Sequence, residues 1–231
     1  MTTMRVLLAE ALGTFYLCFA GIAAILCTAP PINAGGGLVA IALAHGLALS
    51  IAVNNFGGIS GAHVNPAVTM GMLVTRRIAP SLAALYIVAQ LLGASIAALT
   101  CREVFPAEAV NAAMLGIPLP AAWAGTGTVF CVELVLTFLL VTSVFGTAVD
   151  ERGKTVKIGG FGIGLTVAFD ILAGGPVTGA SMNPARSFGP ALIYNYWDWH
   201  WCYWIGPIAG GVVAALVYHH LLLREDKPTQ G

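Results

Sequence analysis

One short motif occurs twice in this chain, as GAHVNPAVT around Asn65-Pro66-Ala67 and as GASMNPARS around Asn183-Pro184-Ala185. Asn is a favoured helix N-cap and Pro a favoured first helical residue, so each copy spells out a helix start. The apolar stretches that follow, 66–75 and 184–194, are too short to cross a bilayer, which takes about 20 residues. Yet the chain around them is 58% hydrophobic and only 9% charged, a composition that belongs in lipid rather than in water. The motifs therefore predict two half-helices inside a membrane. Irregular backbone at that depth is tolerated only where it lines a wet cavity, because lipid offers no hydrogen-bond partner. A fold with two such breaks encloses a cavity between them.

Runs long and apolar enough to span lie at 5–27, 36–55, 80–101, 124–149, 158–174 and 199–223. The first is too long for a signal peptide, carries Glu10 inside it, and lacks a small-residue cleavage site before a polar domain, so it reads as a retained helix. Six crossings place both termini on one side. Arg5, Arg76, Arg77, Arg152, Lys154, Lys157, Arg224 and Lys227 fall on that side and only Arg102 opposite, which predicts cytoplasmic termini.

The repetition extends beyond the motif. LLAEALGTFYLCF around Glu10 echoes FCVELVLTFLLV around Glu133, and YIVAQLLGASIAAL from Tyr86 echoes YWIGPIAGGVVAAL from Tyr203, with Gly93 matching Gly210. The expected organisation is one domain, 1–231, of two repeats, 1–105 and 124–223, each three spans plus one half-helix. Three is odd, so the halves are inverted, and the half-helices enter from opposite faces with their positive ends meeting near the midplane.

These features resemble the aquaporin (major intrinsic protein) family over nearly the whole chain. Two Asn-Pro-Ala boxes, the second running into Arg186, carry the resemblance; a single box would be only a common helix start. The resemblance implies a homotetramer with one pore per subunit, passing water and excluding protons. Asn65 and Asn183 would each cap a half-helix and offer amide N–H groups to a passing water. An arginine at membrane depth is costly and marks function. By resemblance Arg186 belongs to an outer selectivity filter with His45, Ile171 and Ala180, which stand 20 before Asn65, and 12 and three before Asn183. Strict water channels usually carry Phe on the second span and His on the fifth. Here the His is on the second span, and Ile171 and Ala180 are less bulky. The stretch DILAGGPVTGASMNPARSFGPAL is most similar to the vacuolar plant and mammalian branch described as aquaammoniaporins, implying passage of ammonia or hydrogen peroxide as well as water.

Glu10 and Glu133 occupy equivalent places. Read as a coupling pair they would make an ion-driven transporter; read structurally, they accept hydrogen bonds from backbone N–H groups in the broken segments. Asp170 adjoins Ile171 but points about 100° away on a helix, as a support of the filter rather than a solute contact. His63 is expected on the cytoplasmic approach. The five cysteines lack ligand spacing and read as packing residues. The aromatic cluster from Tyr194 to Trp204 reads as an interfacial belt. A glycerol facilitator, the other channel reading, usually has Asp after the second-box Arg, where this chain has Ser187, followed by Ala191 and Tyr203-Trp204 in the water-channel pattern. Zero net charge gives no nucleic-acid surface, and no nucleophile–base, metal or cofactor motif suggests an enzyme. The expected partners are water, small neutral solutes, lipid and further copies of the chain. Short loops without targeting extensions predict a bacterial inner membrane.

Overall fold

The computed structural model describes residues 2–156 and 158–223. The cationic residues Lys157, Arg224 and Lys227 used for sidedness lie outside the described residues. Six long apolar helices are present: α1 Thr3–Thr28, α2 Gly37–Ser60, α4 Pro80–Val104, α6 Thr126–Val144, α8 Gly160–Thr178 and α10 Cys202–Val217. Two half-helices, α3 Pro66–Val74 and α9 Pro184–Tyr194, complete the pattern. Two short helices lie in connections at opposite ends of the long helices, α5 Ala107–Ala112 between α4 and α6, and α7 Glu151–Lys154 between α6 and α8. No strand occurs among the described residues.

The expected spans are all found, with ends displaced by a few residues. α2 runs on to Ser60, past the expected end at 55, because Asn54, Asn55, Gly57 and Gly58 stay helical until Gly61 terminates the helix in the left-handed region. α6 and α10 each continue through a π-helical turn, Phe145–Val149 and Tyr218–Leu222.

The long helices pack chiefly as α2 with α8, α6 with α10, α1 with α4 and α1 with α2. Small residues make these crossings close, as they do wherever helices associate without a hydrophobic driving force. A Cβ on Gly93 would sit 2.1 Å from the Ala11 carbonyl oxygen, and one on Gly210 would sit 2.1 Å from that of Leu134. The matched glycines are therefore matched contacts. Large apolar side chains point outward instead, for example Leu85, Val88, Leu92, Ile96 and Leu99 along α4, a lipid-facing stripe at helical spacing.

All five cysteines are free. Cys18, Cys101 and Cys202 are buried packing residues as expected, but Cys131 is exposed on the outer face of α6. Helix phase puts it there: Val129, Glu133 and Leu136 take the inward face.

Candidate pore and its constrictions

Both motif asparagines sit in extended backbone and cap their half-helices. The Asn65 side-chain oxygen accepts from the Ala67 N–H at 2.8 Å, and that of Asn183 from Ala185 at 3.0 Å and Arg186 at 3.3 Å. The two amides are then crossed. Asn65 Nδ2 donates to the Met182 carbonyl and Asn183 Nδ2 to the Val64 carbonyl, each at 2.9 Å. The resemblance implies amide N–H groups offered to a passing water. In the structure one N–H of each is engaged by the opposite loop, which leaves the other, and the crossing locks the two half-helices tip to tip.

The segments before each asparagine are held by buried glutamates. Glu10 accepts from the backbone N–H groups of His63 at 2.9 Å and Val64 at 2.7 Å, and from Ser60 Oγ at 2.6 Å. Glu133 accepts from Ser181 at 2.9 Å, Met182 at 2.8 Å and Thr178 Oγ1 at 2.7 Å. These bonds bear on strain. Ala62, Val64, Ala180 and Met182 are all left-handed without being glycine, at about 1–2 kcal/mol each. A buried backbone N–H left without its acceptor would cost about 1–3 kcal/mol, so these bonds hold both loops in place. In the first loop Gln90 Nε2 adds bonds to Glu10 at 2.8 Å and to Thr69 Oγ1 at 3.0 Å. In the second, Ser181 and Ser187 bond each other through their hydroxyls.

Between the loops runs a cavity of about 140 Å³ lined at the level of the asparagines by Asn65, Asn183 and Met182. At one end it is bounded by His45, Ile171, Ala180 and Arg186, so the four residues expected to form a filter do converge. Towards the other end it is walled by Leu49, Val53, Leu140, Val144 and Val149, with His63 as the polar exception. His63 Nδ1 lies 3.1 Å from Thr69 Oγ1 and its ring packs edge-on against Tyr86. The wall is otherwise apolar, with polar atoms confined to the two loops and the constrictions.

Arg186 is 3% exposed and donates through Nη1 to the Gly116 carbonyl at 2.8 Å. Gly116 closes a tight turn in the connection between α4 and α6 whose residues Met114, Leu115 and Gly116 all have positive φ. Sequence reasoning missed this acceptor. Gly116 sits in an irregular turn, and the Ile117-Pro118 after it is its local signal. His45 Nδ1 lies 2.9 Å from the Ile41 carbonyl and donates to it, since a carbonyl oxygen only accepts. Asp170 is fully buried, does not line the cavity, and neither carboxylate oxygen has a hydrogen-bond partner. It points away from solute as expected but ties to no filter residue. No cluster of metal-ligating side chains occurs among the described residues.

Residues 1–218 match the family model described as Major intrinsic protein. The chain is similar to the Zea mays protein named Aquaporin TIP4-4, 43% identical over 228 residues that cover 96% of this chain and 88% of that one. It is also similar to the Arabidopsis thaliana protein named Probable aquaporin TIP3-2, 44% identical over 235 residues, with 96% and 85% covered. Among solved structures, the aquaglyceroporin from Plasmodium falciparum superposes with a TM-score of 0.86 at 25% identity, covering 95% of this chain and 97% of that one. The TIP relatives are in keeping with the vacuolar-branch likeness read from the second-box region. They are plant proteins and lend no support to a bacterial inner membrane; what stands is an integral, multi-pass membrane protein.

Proposed function

Because this chain belongs to the major intrinsic protein family, we propose that it is a passive membrane channel for water that excludes protons and also passes small neutral solutes such as ammonia or hydrogen peroxide. The crossed amides of Asn65 and Asn183, set where two half-helix N-termini meet in a continuous cavity, carry this reading. Each amide has one N–H left to donate. A water oxygen that accepts from both is turned so that it cannot accept a proton from one neighbour and pass it to the next. The positive ends of α3 and α9 repel cations at the same place.

His45, Ile171, Ala180 and Arg186 form the selectivity filter. The guanidinium deters cations, His45 and Arg186 offer polar contacts, and Ile171 with Ala180 leaves a wider aperture than bulkier residues would. Glu10 and Glu133 act as structural acceptors, since their oxygens are taken up by loop donors rather than facing the cavity. Ser187 after Arg186 and Ala191 keep the water-channel pattern over the glycerol one. The units 1–105 and 124–223 are the two inverted repeats. Four copies assemble in the membrane through their apolar outer faces, with both termini cytoplasmic. Nothing in this scheme transforms a substrate; solutes equilibrate.

Stopped-flow light scattering and internal-pH recording on proteoliposomes test the reading. Fast water and ammonia flux in the parent, with ammonia selectively lost in His45→Phe, is the expected result. Water flux without ammonia flux in either protein would reduce the proposal to a plain water channel, and no water flux from folded protein would overturn it.

A further inference from the structure

The filter described above leaves out the wall against which one of its members rests. A Cβ built on Gly21 of α1 would lie 2.1 Å from His45 Nε2 and 2.5 Å from both Cδ2 and Cε1. The Nε2 end of the imidazole, lying face-on to Gly21, therefore fills the space that any other residue's side chain would occupy. At its inner edge the same ring is tied through Nδ1 to the Ile41 carbonyl. Gly21 and Leu17 are one helical turn apart, so they share a face of α1, and Leu17 lines the cavity. The ring is thus clamped between α2 and α1, flat to the wall, and the remaining free direction is the lumen.

We propose that Gly21 is a specificity-determining position of this channel, a positioning residue that sets the aperture by giving His45 a seat in the wall. The inference rests on the filter reading. A methyl group at this position forces the ring to turn off its rotamer or to release Ile41, and either way it swings towards the centre of the filter. The aperture narrows, and solutes larger than water are affected more than water.

Gly21→Ala, His45→Ala and the double variant, compared in proteoliposomes for water and urea permeability, test this. Gly21→Ala should lower water permeability, and lower urea permeability by a larger factor, because the displaced ring narrows the aperture. The double variant should return to the permeabilities of His45→Ala, because the ring that clashes is gone. If His45→Ala leaves the ratio of urea to water unchanged, the filter reading fails. If His45→Ala raises that ratio while Gly21→Ala matches the parent, the role of Gly21 fails alone. A loss of flux or folding in Gly21→Ala that His45→Ala does not rescue would also overturn it, showing that Gly21 serves helix packing only.

Discussion

Removal of the Glu133 carboxylate tests how the second broken segment is held. Glu133→Ala takes away the acceptor of the Ser181 and Met182 N–H groups and of the Thr178 hydroxyl, all at 2.7–2.9 Å and all buried. Two backbone donors stranded away from water cost about 1–3 kcal/mol each. The left-handed residues Ala180 and Met182 then lose the bonds that offset their strain. The expected loss is about 4 kcal/mol, read as thermal unfolding of the detergent-solubilised protein. Glu133→Gln keeps one accepting oxygen but turns an NH2 towards a backbone N–H, so about half of that loss is expected. Water permeability should fall in the same order, because Met182 also holds Asn65. A Glu133→Ala variant within about 0.5 kcal/mol of the parent, the range of an ordinary surface substitution, would show that Glu133 does not hold this segment.

Glu10→Gln should be milder than Glu133→Gln in the same unfolding assay. Gln90 Oε1 is buried without a partner, so a flip of the Gln90 amide would give the new NH2 an acceptor. Arg186→Ala removes both the filter charge and the tie to Gly116, so urea and glycerol permeability should rise relative to water in stopped-flow scattering. The Asp150 carboxylate is held below the usual Asp range by hydrogen bonds from Arg152, first of all through its side chain. A depressed carboxylate lends stability above its unfolded pKa and loses it as pH falls through the folded one. The Asp150–Arg152 contact, which also reaches Tyr218 and the Leu222 carbonyl, should therefore persist from neutral pH down past the ordinary Asp range. Hydrogen-exchange protection of residues 145–156, after correction for the intrinsic pH dependence of exchange, should be flat over that window in the parent and lower in Asp150→Asn.

Much of this was legible because the code is local. Asn-Pro at a helix start specifies a cap within two or three residues, and both caps form where the motif places them. Equivalent glutamates in equivalent helices found equivalent loop donors, and Gly93 and Gly210 make equivalent close approaches, since duplication repeats contacts as well as residues. What stayed hidden depends on distant parts of the chain. Each asparagine N–H meets the carbonyl of the opposite loop, an acceptor that no local pattern names. Arg186 finds the Gly116 carbonyl in an irregular turn, and His45 finds its seat at an α1 glycine indistinguishable in sequence from other glycines. Asp170 was placed correctly by helix phase, away from the cavity, but no hydrogen bond in the structure gives it a role.

The central claim is that the crossed asparagines let water through and stop protons. Proteoliposomes carrying the folded protein, with the membrane potential clamped, give both fluxes from one preparation, osmotic shrinkage for water and an entrapped pH dye for protons. Shrinkage should be much faster than in empty vesicles, with proton leak no greater than theirs. Proton leak rising with protein content, or shrinkage no faster than in empty vesicles, would contradict it.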